Sequence, residues 1–64
     1  MVFDYRQAGQ RARIPSEMID RLWKMFRGQF PRDDMMAELH TLRAILAIEH
    51  GEITLDEILN GEAA

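Results

Sequence analysis

From Met35 to Ile48 the chain reads MMAELHTLRAILAI, and only Glu38 and Arg43 in that run carry a full charge. A surface helix ordinarily turns one apolar stripe to the core and keeps the rest of its circumference polar. This run is apolar over more of its circumference than one stripe requires. The surplus has to be covered by the rest of the chain, by a second copy or by a different protein.

The pattern predicts three helices behind an N-terminal segment. The first covers about 15–27, opened by Pro15 in its first turn or by Ser16 as N-cap, and stopped by Gly28 and Pro31. The second covers about 32–50, with Asp33 and Asp34 at the positive end of its dipole and Gly51 ready for the left-handed position beyond its end. The third covers about 55–60. It opens on the capping box Thr54-Leu55-Asp56-Glu57, has Ile53 and Ile58 placed as a hydrophobic staple, and is closed by Asn60-Gly61. Residues 1–13 form an N-terminal arm, with a flexible segment, a short strand and a frayed helical extension all open to it. Residues 14–61 form the three-helix domain.

Ile19, Trp23, Phe26 and Phe30 step by 4, 3 and 4 residues, and so do Met35, Leu39, Leu42 and Leu46. Each set is the narrow seam of a paired helix. A short connection makes the two long helices antiparallel neighbours, so the expected fold is all-α, an antiparallel helical hairpin plus a short third helix. Beside the seams lies a second apolar set: Met18, Leu22 and Met25 on the first helix, Ile45 and Ile48 on the second. That flank is expected to meet the third helix, a second subunit or a partner. Leu39→Asp is then expected to abolish the fold, and Leu22→Glu or Ile45→Glu to weaken association with helicity retained.

Size sharpens the need for a partner. A chain of 64 residues makes one domain with a marginal core, and it has no cysteine for a disulfide or a thiolate metal site. Oligomerisation is the remaining staple. The N-terminus lacks the apolar region of a signal peptide and no run is long enough to span a bilayer, so a cytoplasmic location with no membrane partner is expected. Charge is divided along the chain: seven basic residues face three acidic ones over 1–32, and one faces eight over 33–64. The halves can neutralise each other on folding, or the basic half can meet an acidic partner or nucleic acid.

Candidates for chemistry are few. His40 and His50 have no second metal ligand one helical turn away, and His50 suits the negative end of its helix. Asp33/Asp34 mark a helix start, Glu49/Glu52/Asp56 a solvated turn, and the four isolated glycines punctuate rather than cradle a phosphate. No catalytic residue, metal or cofactor is expected. Met18, Met25, Met35 and Met36 lie on or beside the apolar faces, where methionine fills a core or adapts to a partner's shape. Trp23 is the largest candidate for the core.

Arg21, Lys24 and Arg27 run along one side of the first helix, with Arg11 and Arg13 alternating upstream. The order of a polar alternating segment, Gln10-Arg11-Ala12-Arg13-Ile14-Pro15, followed by two helices resembles the ribbon-helix-helix family of dimeric DNA-binding regulators. That resemblance, over about residues 10–50, implies a ribbon strand at 10–14, with Gln10, Arg11 and Arg13 as base readers. Asp33 and Asp34 stand where the family presents phosphate-binding groups, and they repel phosphate. The leading expectation is therefore a small non-enzymatic module that binds a protein partner or a second copy. It would use Met18, Leu22, Met25, Ile45 and Ile48, with Arg21, Lys24 and Arg27 at the rim. DNA binding is the alternative.

Overall fold

Among the described residues there are four helices: α1 Tyr5–Arg11, α2 Ser16–Gln29, α3 Asp34–Glu49 and α4 Leu55–Ala63. The computed structural model describes residues 2–63, and side chains through residue 60. Among the described residues there is no strand. The all-α hairpin with a short additional helix is the observed fold, and it carries one helix more than the pattern predicts.

That extra helix is α1, and it replaces the flexible or extended arm expected over 1–13. Asp4 caps it by accepting a hydrogen bond from the Gln7 N–H at 3.1 Å. It stops in a Schellman turn. The Ile14 N–H donates to the Gly9 carbonyl (2.9 Å), the Arg13 N–H donates to the Gln10 carbonyl (3.0 Å), and Arg13 itself holds φ at +61°. Glycine normally occupies that left-handed position, so an arginine there gives no signal in the sequence. Residues 10–14 are thus a helix end and its cap, and the expected ribbon strand is not formed. Making one would unwind the last turn of α1 and pull Ile14, only 8% exposed, out of the core.

α2 takes Pro15 itself as N-cap, through bonds from the Met18 and Ile19 N–H groups to the Pro15 carbonyl, and continues past Gly28 to Gln29. Asp33 caps α3 by accepting from the Met36 N–H at 3.1 Å. Gly51, at φ +75°, closes α3 in the Schellman turn expected of it, with the Glu52 N–H donating to the Ala47 carbonyl. At α4 the Glu57 N–H donates to the Thr54 hydroxyl, and that hydroxyl donates in turn to the Glu57 carboxylate. The helix then runs through Asn60 and Gly61 to Ala63 instead of ending at 60.

The core is Tyr5, Ala8, Ile14, Ile19, Leu22, Ala37 and Ile45, with Thr41 the one buried polar residue among those described. Thr41 satisfies its hydroxyl by donating to the Ala37 carbonyl at 2.7 Å. Ala37, Thr41 and Ile45 recur every fourth residue, so α3 turns this stripe inward, between α1 and α2. Tyr5 stacks flat on Trp23, with ring centroids 5.2 Å apart. Leu55, Ile58 and Leu59 of α4 pack against the same cluster from outside.

Among the described residues two ion pairs join the basic and acidic halves, Arg11 with Glu49 (2.9 Å) and Arg27 with Asp34, and Arg6 pairs with Asp20 inside the basic half. The hydrogen bond from Arg11 holds the Glu49 carboxyl below its ordinary range, against the opposing effect of burial. Folded Glu49 therefore takes up a proton less readily than the unfolded chain does. The stabilisation from this pair is present above the ordinary carboxylate range and is lost as pH falls through the lowered folded value. Arg11→Gln is expected to flatten the acid limb of thermal stability measured against pH. Superimposable acid limbs for the two proteins would show that the pair does not contribute.

Candidate functional site

At about 100° per residue, the inward stripe of α3 leaves Met35, Leu39, Leu42 and Leu46 roughly a third of a turn away from it. Leu42 still touches the core cluster, Leu39 and Leu46 are half-buried, and Met35 is 53% exposed. The seam expected to bury this helix against its hairpin partner instead borders solvent. The reason is α1. Helix α3 packs against two neighbours, so the face between them is the one that becomes core, and its Ala37 and Thr41 are small enough to let both approach.

The N-terminal segment adds to this outward face. Glu38 Oε1 accepts hydrogen bonds from the Val2 N–H (2.7 Å) and the Phe3 N–H (3.0 Å), which lays residues 2 and 3 beside α3 one turn from Met35. Val2 is 66% exposed. Among the described residues, Val2 and Met35 are the two exposed large hydrophobic side chains, and the Val2 backbone is held on Glu38, one turn of α3 from Met35. Glu38 and Arg43 border the Met35/Leu39/Leu42/Leu46 stripe on opposite sides, each about 70° from its centre. Arg43 is exposed and makes no ion pair among the described residues.

The flank expected to bind a partner is divided by the fold. Leu22 and Ile45 are 0% exposed and lie at the centre of the core, so neither belongs to an interface. Met18, Met25 and Ile48 are half-buried against that core. Arg21, Lys24 and Met25 are brought together with Leu59 around an open cleft of about 360 Å³ between α2 and α4. The Arg21 guanidinium reaches the Met18 sulfur at 3.9 Å. Arg27 is tied to Asp34 and donates to the Phe30 carbonyl, so it sits at the α2–α3 turn, away from that cleft.

The DNA-reading set is also separated. Arg11 is committed to Glu49, Gln10 lies in the last turn of α1, and Arg13 is its cap. The histidines serve packing and capping: the His40 ring lies 4.7 Å from that of Phe30 and 6.0 Å from that of Phe26, and His50 is the exposed C-cap of α3. Among the described residues no three His, Asp or Glu side chains are placed to hold a metal ion, and no helix is long and apolar enough to cross a membrane.

Compared with known proteins, the chain matches no family model and shows no significant similarity to a curated protein or a solved structure. Sequence reasoning found the stripe Met35, Leu39, Leu42 and Leu46 but assigned it to the core. The signal that could have placed it outside was the smaller, regularly spaced set Ala37, Thr41 and Ile45, which suits a helix touched from two sides.

Proposed function

We propose that this protein is a small non-enzymatic interaction module, and that it binds an apolar helix of another polypeptide along the outward face of α3. The observation that carries this reading is the exposure of Met35 and of Val2, whose backbone is tied to Glu38 one turn from Met35, on a helix that also carries half-buried Leu39, Leu42 and Leu46. Solvation of such a continuous apolar strip is unfavourable by roughly 25 cal/mol per Å², and an apolar helix laid along it removes the strip from water. The 4-3-4 stepping of the stripe is the spacing that accepts the side chains of a second helix. Glu38 and Arg43 place opposite charges at its two rims, which sets the orientation of what binds.

The test compares wild type with Leu46→Glu, first for helicity and then for retention of a bound polypeptide after chemical cross-linking. Equal helicity, with the cross-linked species lost only in the variant, is the expected result. An unfolded Leu46→Glu, or cross-linking unchanged by it, overturns the reading.

A further inference from the structure

We infer that the helix received by the α3 face is α3 of a second copy of this chain, lying parallel, with Glu38 of each protomer against Arg43 of its partner. The inference rests on the interaction reading above and specifies its occupant. Three features of the surface carry it.

The first is the match of the stripe to itself. Met35, Leu39, Leu42 and Leu46 alternate steps of four and three, and two helices interlock side chains along such a seam when both carry it. Met35 at the head of the stripe is 53% exposed, Leu39 and Leu46 are half-buried and Leu42 also touches the core cluster, while the fully buried positions of α3 are Ala37, Thr41 and Ile45 on the side of α1 and α2.

The second is charge. Glu38 and Arg43 stand five residues apart on opposite borders of the stripe. In a parallel pair each border faces the opposite border of the partner, and a residue on one meets the residue five positions further along the other. Two symmetric Glu38 to Arg43 ion pairs then form. In an antiparallel pair like borders meet, and Glu38 does not reach the partner's Arg43. Arg43 is exposed without an ion pair among the described residues, and half-buried Glu38 already accepts from Val2 and Phe3 through Oε1, so the proposed pair engages its carboxylate beside those two bonds.

The third is the position of Val2, held by Glu38 at the rim and 66% exposed, where it widens the apolar strip on the side a second protomer approaches. In a two-fold arrangement this contribution is made twice.

The chain has no cysteine, so a single introduced thiol reports its own neighbour without interference. Leu39→Cys is to be oxidised alone and also mixed with Leu42→Cys. Light scattering of the unmodified protein across concentrations is run beside it. The expected result is a particle of twice the 7.5 kDa chain mass, with Leu39→Cys cross-linking to itself. Arg43→Glu should then weaken the dimer by about tenfold or more, through like charges at each rim, whereas Arg43→Lys retains it.

A dimer that cross-links only in the mixture is antiparallel, and it overturns the arrangement proposed here while leaving the interaction reading intact. A chain that stays monomeric at every concentration overturns the second-copy occupant. In that case the melting temperature of Leu46→Glu judges the wider reading. An unchanged value leaves the face free for a different protein, and a collapse shows the face to be core and removes both proposals.

Discussion

Leu22→Glu is expected to unfold the protein, whereas Leu46→Glu leaves it helical. The two leucines sit one helix apart, and composition does not distinguish them. Leu22 of α2 is 0% exposed and belongs to the apolar core cluster of Tyr5, Ala8, Ile14, Ile19 and Ile45. Truncation alone, Leu22→Ala, is expected to cost about 2–5 kcal/mol for the lost contacts and the cavity left behind. A core of this size supplies only about 3–5 kcal/mol, so an unpaired buried charge exceeds what the fold can withstand. Ile45, equally buried, behaves as Leu22 does, and half-buried Leu39 behaves as Leu46 does. These expectations reverse those drawn from the spacing alone, in which Leu39→Asp destroys the fold and Leu22→Glu and Ile45→Glu spare it. Circular dichroism of the four single variants decides the matter. A folded Leu22→Glu protein would show that the core is not where the structure puts it.

The second large effect is expected at Gly9, in the middle of α1. A Cβ built there would lie 2.5 Å from Ile19 Cδ1 and 2.8 Å from Ile19 Cγ1, with Ile45 Cδ1 at 3.6 Å. Ile19 is itself only 2% exposed and has little room to retreat. Overpacking of this kind costs about 1–3 kcal/mol, which outweighs the gain of up to about 1 kcal/mol that alanine brings over glycine within a helix. Gly9→Ala is therefore expected to lower stability, and Gly9→Val to detach α1 altogether. Loss of the Tyr5 stack on Trp23 provides the readout, as a change in tryptophan fluorescence that precedes global unfolding. Gly28 supplies the control. It lies within α2 with nothing within 4 Å of an added Cβ, so Gly28→Ala is expected to stabilise the protein by up to about 1 kcal/mol. If both substitutions shift the melting temperature in the same direction, the close approach of α1 to Ile19 is not what holds that helix in place.

Gly9 also explains why α1 was not legible. A glycine in mid-segment lowers helix propensity, and here it is retained because it admits Ile19 at a distance no Cβ permits. The other end of the same helix misleads for a related reason. Gly51 and Arg13 perform the same task, the left-handed residue of a Schellman turn, after α3 and α1. Glycine announces that geometry in a sequence and arginine does not. Arginine is held there by the bonds around it, from Ile14 to Gly9 and from Arg13 to Gln10, and by the burial of Ile14 next to it.

The sequence by itself determined the all-α class, the two long helices with the turn between them, the Asp33 and Thr54 caps and the stop at Gly51. Each of these depends on contacts within a few residues, where side-chain type and backbone geometry are coupled directly. It also showed that the second long helix carries more apolar surface than one neighbour can cover. Which part of that surface is core was decided only by the tertiary structure. Once α1 docks, the inward face of α3 has to lie between two helices, and Ala37, Thr41 and Ile45 fill that space with α1 and α2 both close by. The larger seam of Met35, Leu39, Leu42 and Leu46 is left on the other side. Periodicity counts how many apolar faces a helix has, but the number and placement of its neighbours determine which face is buried.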